Sequence, residues 1–144
     1  VIILNSQNKV FVARRIDNPK NFWQMPQGGV EDGEDYYKAA LRELKEETNI
    51  KSISLIKEIE GFISYNLPNN LLGIIWKGKY KGQKQKWFIM KFTGKDSEIN
   101  VNTKKPEFLD WRWADLETIV DTVVDFKLKV YEQLIIEVKK IIPN

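Results

Sequence analysis

Apolar positions come in short runs from the first residue: "VIILN" and "KVFVARR" are β-branched and aromatic stretches divided by the polar "SQN". That division predicts two strands joined by a turn. "DNPKN" and "MPQGG" then interrupt with turn residues. From Tyr36 to Thr48 the pattern changes, with no Gly or Pro and with Ala39, Ala40, Leu41 and Leu44 inside it, which predicts a helix. Asp32, Glu34 and Asp35 stand at its start, where the helix dipole favours negative charge, and Asn49 follows its end as a residue able to take a left-handed cap. Strand-like runs return at "SISLIKEIEGFISYNL", "LLGIIWK", "KWFIMKF" and "FLDWRWA". The run from Trp87 to Phe92 is nearly continuous in apolar character, as expected of a central strand buried on both faces. Val130, Leu134, Ile135, Val138 and Ile142 recur at helical spacing, predicting an amphipathic C-terminal helix on the sheet. The fold class expected is α/β (α+β), a mixed β-sheet flanked by helices.

The 144 residues fit one domain, 1–144, large enough to bury a core without disulfides or a structural metal. With 42% hydrophobic, 12% aromatic and 30% charged residues, the composition is that of a folded soluble protein. The chain holds no cysteine, which excludes disulfides and thiolate chemistry and is compatible with a cytoplasmic home. It holds no histidine either, which removes imidazole bases and the commonest zinc ligand. Any metal must then be held mainly by oxygen, which favours magnesium, manganese or calcium. A net charge of +3 is too mild to mark an obvious nucleic-acid binder. No apolar run approaches the roughly 18 residues of a membrane span, so no membrane partner is expected. The opening at Val1, without methionine and already strand-like, is read as the loss of a few residues.

Within the predicted helix, Glu43, Glu46 and Glu47 fall within roughly 60° of one direction on a helical wheel. Tyr37, Leu41 and Leu44 cluster to one side of them, and Lys38, Arg42 and Lys45 to the other. A solvated, salt-bridged surface is the usual meaning of such glutamates. Here Glu43 has Ala39 and Ala40 a turn before it and only glutamates a turn after, so no cation stands at any of its helical neighbour positions. Glu46 has only Arg42, in the less favourable order, and Glu47 at best Lys51 beyond the helix. Each like-charge pair costs about 0.2–0.5 kcal/mol on an exposed helix. A divalent cation would turn that repulsion into attraction, and metal binding is the better account.

Gly28, then Glu34, then Arg42-Glu43-Leu44-x-Glu46-Glu47-x-Asn49-Ile50 resembles the Nudix box, the loop-helix-loop motif of Nudix hydrolases, here spanning 28–50. One position departs: Asn49 stands where the family usually has glycine, and asparagine is the next best residue at positive φ. The resemblance implies the Nudix fold and Mg2+ (or Mn2+) held by Glu43, Glu46 and Glu47, with Gly28 placed among the metal-site residues. It also implies that Arg42 orients the helix glutamates, and that water attacks phosphorus in a nucleoside diphosphate linked to a further group.

"FWQMPQGG", "GQKQKWF", "EIN", "PEFLDWRW" and "VVDFKLKVY" extend the likeness to the Nudix group of RNA 5′-pyrophosphohydrolases and diadenosine polyphosphate hydrolases, over about Val1 to Tyr131. That group implies Glu107 as a metal ligand or base and Arg15 as a phosphate-binding residue. It further implies Phe126 as a stacking aromatic and Lys127 as a lysine near the phosphates, with Tyr65 a weaker stacking candidate. Phe126 is equally readable as core. Of the lysines at 77, 79, 81, 84 and 86, Lys86 is the one expected to act and most of the others to be solvated; Trp23 is expected to pack. The expected substrate is the RNA 5′ end or a dinucleoside polyphosphate. A housekeeping nucleotide pyrophosphatase and a non-catalytic nucleotide-binding Nudix module are the alternatives. The sequence says nothing of oligomeric state.

Overall fold

The computed structural model describes residues 1–16, 22–27, 33–66, 82–123 and 127–142, with backbone alone for 64–66 and 82–84. In chain order the strands are β1 (Ile2–Leu4), β2 (Val10–Arg15), β3 (Ile53–Glu58), β4 (Ile63–Asn66), β5 (Gly82–Gln85), β6 (Phe88–Phe92) and β7 (Phe108–Ala114). The helices are α1 (Tyr36–Thr48) and α2 (Leu128–Lys139).

The N-terminal apolar runs form the expected hairpin, with Leu4 opposite Val10. Five strands make one mixed sheet in the order β3-β6-β1-β2-β7, while β4 and β5 pair as a separate ribbon. Within the larger sheet only β1 and β6 run parallel, Ile2 beside Ile89. Alternation along β1 sends Ile2 and Leu4 to one face and Ile3 to the other. The first face packs with Val12, Trp87 and Ile89 against Val130, Leu134 and Val138 of α2. The second packs with Phe11, Phe88 and Met90 against Leu44 of α1. The sheet thus lies between two helices, and β6 is buried on both faces as its sequence predicts.

Three details differ from the sequence pattern. Ile142 lies beyond the end of α2 and is half-buried rather than part of the helical stripe. Tyr131 is fully buried instead, its hydroxyl accepting from the Met25 N–H at 2.8 Å, so its polar tip is satisfied inside the core. The long run "SISLIKEIEGFISYNL" divides into β3 and β4, with Gly61 at φ 70 between them. The run "LLGIIWK" lies outside the described residues.

α1 keeps its predicted bounds because both ends are capped. The Asp35 carboxylate accepts from the Lys38 N–H at 3.0 Å, and Asn49 takes φ 62, donating from its side chain to the Asn100 carbonyl at 2.6 Å. We expect Asn49→Ala to cost about 1–2 kcal/mol in chemical denaturation, the strain of a left-handed L residue together with one lost hydrogen bond. Asn49→Gly should cost less, because glycine removes the strain.

Register decides which residues meet. The end of β2 (Arg15) faces the start of β7 (Phe108), and the start of β6 (Phe88) faces the end of β3 (Glu58). With β1 parallel to β6 and antiparallel to β2, Arg15, Glu107, Glu58 and Lys86 all fall at one end of the sheet. The β2–β7 ladder slips there: Arg14 faces Asp110 and Arg15 faces Phe108, leaving Leu109 unpaired as a bulge. Such bulges re-aim side chains beside functional sites.

Candidate active site

The acidic stretch of α1 is organised by Arg42. Its guanidinium donates to both oxygens of Glu34, Nε to Oε2 at 2.8 Å and Nη2 to Oε1 at 2.9 Å. Nη1 also reaches Glu43 Oε1 at 2.9 Å and Glu46 Oε2 at 3.3 Å. The wheel had set Arg42 on a separate basic face; the structure corrects this, because a long side chain can swing around the helix to residues its Cα does not face. Glu43 therefore has a cation after all, from the residue immediately before it. The hydrogen bonds to Glu34 and Glu43 raise the Arg42 pKa still further. Glu34, quoted from the sequence only as a box position and a helix-start acid, emerges as the anchor of this arginine. The signal was available in its fixed spacing from Arg42, but an eight-residue separation across a helix start has no neighbour rule. Arg42→Lys keeps one charge and loses the two-pronged grip on Glu34. We expect it to lower turnover about 10- to 100-fold, the usual cost of losing a residue that positions metal ligands, with the circular dichroism of the helix retained.

Glu47 lies on the sheet side of the same turn and is 8% exposed. Its Oε2 is buried with no hydrogen-bond partner among the described residues. Burial is the main force pushing its pKa up to about 8, and repulsion from Glu43 and Glu107 adds to it, with the Val1 amino group and Arg15 opposing. These same interactions place Glu43, Glu107 and Arg15 around Glu47. Arg15, at the end of β2, stands 3.5 Å from Glu107 Oε2, and the Ile16 N–H donates to the Glu107 carbonyl at 3.0 Å. Arg42, Glu43 and Glu46 are thus joined by direct contacts, Arg15 and Glu107 form a second pair, and Glu47 interacts electrostatically with Glu43, Glu107 and Arg15.

Lys86 stands at the same end of the sheet with a different attachment. Its ammonium donates to the carbonyls of Ile59 at 2.7 Å and Gly61 at 3.1 Å and lies 3.5 Å from Glu58. As placed, it holds the turn between β3 and β4. Lys127 is the residue before α2. Tyr65 faces Gln83 in the β4–β5 ribbon, its side chain outside the described residues; Gly28 and Phe126 lie outside them entirely, as do Lys77, Lys79 and Lys81. Trp23 packs as expected, with the Arg112 guanidinium 4.1 Å and that of Arg14 5.2 Å from its ring centre.

Among the described residues no three carboxylates stand together as a ready cage for an ion, and Arg42 contacts both Glu43 and Glu46. The donor set nevertheless fits a divalent cation. Every donor is a hard carboxylate oxygen, one of them is buried without a partner, and mutual repulsion raises its proton affinity.

The sheet lies between two helices, and the carboxylate-rich helix packs on one of its faces. The NUDIX domain model matches residues 1–134, and the chain belongs to the Nudix family of hydrolases acting on phosphoric anhydrides. That family generally uses divalent metal ions. The chain is 66% identical over 142 residues to the RNA pyrophosphohydrolase of Pelagibacter ubique, covering 99% of this chain and 90% of that one. It is 47% identical over 137 residues to the RNA pyrophosphohydrolase of Rhodospirillum rubrum, covering 95% and 82%. Among solved structures, the E. coli dihydroneopterin triphosphate pyrophosphohydrolase superposes with a TM-score of 0.73 at 24% identity, covering 94% of this chain and 93% of that one. A C. elegans Ap4A hydrolase superposes at 0.68 and 18% identity, covering 96% of each. These two likenesses speak for the fold alone.

Proposed function

We propose that the protein removes pyrophosphate from the 5′ end of triphosphorylated RNA in the cytoplasm, with Mg2+ (or Mn2+) as cofactor and dinucleoside polyphosphates as a further substrate of the same site. The observation that carries this reading is the 66% identity to an RNA pyrophosphohydrolase over nearly the whole chain, together with an intact set of box carboxylates. Glu43, Glu46 and Glu47 would hold the ion, and Gly28, outside the described residues, is assigned to the same metal site. When bound, it supplies charge neutralisation for the phosphates and acidifies the attacking water. Arg42 holds Glu43 and Glu46 in register through its anchor on Glu34. Glu107, half-exposed at the mouth of the site, serves as ligand or as the base that takes the water's proton. Arg15, beside it, gives the phosphate oxygens a fixed donor. Phe126, shortly before α2 in the chain, and Tyr65 on β4 are assigned to the nucleoside, and Lys127, the residue before α2, to the phosphates. Lys86 contributes to phosphate binding only if it leaves the carbonyls it now holds.

Supplying triphosphorylated RNA, diphosphorylated RNA, diadenosine tetraphosphate and free nucleoside triphosphate in parallel, and identifying each product, tests the reading. Pyrophosphate and 5′-monophosphorylated RNA are the expected products of the first. Faster release from free nucleoside triphosphate than from RNA would instead identify a housekeeping pyrophosphatase. Tight binding without turnover under either metal would identify a binding module.

A further inference from the structure

Only two aromatic side chains are strongly exposed among the described residues, Tyr36 at 46% and Phe62 at 41%, and they touch each other. Their ring centres are 5.5 Å apart at 70°. Neither is needed to fill a core: Tyr37, the next residue, makes the inward contact, its ring 5.3 Å from that of Phe88. The pair is nevertheless held in place. Phe62 follows Gly61, whose φ of 70 turns the chain there, and Lys86 places its ammonium 5.6 Å from the Phe62 ring centre while donating to the Gly61 carbonyl. An exposed aromatic pair fixed by a glycine turn and a lysine clamp is not an accident of a loose loop.

Its location ties it to the chemistry. Tyr36 is the first residue of α1, seven residues before Glu43 and eleven before Glu47. Seven residues fall about 20° short of two turns and eleven about 20° past three, so all three share one helix face. Along that face exposure grows from Glu47, which is buried, through Glu43, whose side chain is 22% exposed, to Tyr36. The rise from Glu43 to Tyr36 is about 10 Å, within reach of the first nucleotides of a strand whose terminal phosphates sit at the glutamates.

We propose that Tyr36, backed by Phe62 and Lys86, is a stacking platform for a base near the 5′ end of a single-stranded RNA substrate, downstream of the nucleotide whose phosphates are cleaved. The inference rests on the RNA reading above. Single-stranded RNA is held by stacking splayed bases on aromatic rings, and such contacts tolerate any base. A free nucleoside triphosphate, with no second base, would leave the platform unused.

The test compares wild type with Tyr36→Ala, Tyr36→Trp and Phe62→Ala on triphosphorylated RNAs of one to four nucleotides. Wild type should gain affinity with length, seen as a falling KM. Tyr36→Ala should reduce the KM advantage of the trinucleotide over the single nucleotide by about tenfold, with Phe62→Ala intermediate and Tyr36→Trp retaining the advantage. A second readout is independent of turnover: 5′-monophosphorylated RNAs carrying 2-aminopurine at the second or third position should be quenched on binding to wild type and Tyr36→Trp, and not to Tyr36→Ala. Equal loss at every length, or quenching that survives Tyr36→Ala, would overturn the platform. If wild type instead cleaves free nucleotides and spares RNA, the RNA reading fails in the first assay, and the quenching still decides whether a base stacks on Tyr36.

Discussion

Glu46→Gln is expected to lose at least about 100-fold in turnover with magnesium supplied, while keeping the fold and thermal midpoint of the parent. Glu46 projects from α1 toward solvent and, among the described residues, meets only Arg42, at 3.3 Å, so its replacement by an isosteric amide disturbs no packing. The loss comes from charge. An ion stabilising a developing phosphate charge contributes several kcal/mol to the transition state, and each 1.36 kcal/mol is tenfold in rate. Full activity in the variant, measured as pyrophosphate released from triphosphorylated RNA, would remove Glu46 from the metal site and with it the proposed mechanism.

Glu47 should behave differently because it is buried. Its carboxyl ionises near 4.5 in the unfolded chain and near 8 in the folded protein. A raised carboxyl pKa means the folded state prefers the protonated form, so this stability is fully present below about 4.5 and is lost as pH rises through 8. The size is on the order of a few kcal/mol. The buried Val1 amino group, its pKa lowered to about 5, acts in the opposite sense over the same range, because its charging on acidification costs stability. The Glu47 contribution is therefore read as the difference between the wild-type and Glu47→Gln melting profiles. Magnesium should raise the wild-type melting temperature at pH 8 by compensating the carboxylate. Glu47→Gln should melt higher than wild type at pH 8 without metal, by a margin that shrinks toward pH 5, yet be nearly inactive. Parallel melting profiles for variant and wild type would show that Glu47 is not the group responsible. Stability and activity pull apart here because the same uncompensated charge serves one and burdens the other.

Local signals were read correctly where the physics is local. The bounds of α1 follow from a stretch without Gly or Pro before Asn49, which caps it as expected, while Asp35, read from the sequence only for its charge, caps the other end. The double-sided burial of Phe88, Ile89 and Met90 follows from an unbroken apolar run. What depends on distant partners was not legible. Nothing near Lys86 announces that it will hold the carbonyls of Ile59 and Gly61, twenty-five and more residues earlier. The reach of Arg42 to Glu34 needs a side-chain path rather than a wheel position. The burial of Tyr131 rests on a partner far along the chain, the Met25 N–H beside its hydroxyl. The isolated orphan oxygen of Glu47 is a property of what covers it, and three glutamates in a row carry no sign of which one will be covered.

The parallel pairing of β1 with β6 has a consequence for biosynthesis. Ile2 finds Ile89 across nearly ninety residues of intervening chain, and such long loops slow folding because their closure entropy precedes any contact that repays it. A ribosome adding about 5–20 residues per second needs several seconds after β1 emerges before β6 follows. Through that interval the first hairpin has one side unsealed, and α1, already synthesised, has only half of its docking face. The acidic helix must therefore wait for the chain that comes after it, and substitutions that weaken β6 should show first as poor yield during synthesis, before any purified protein reveals a defect.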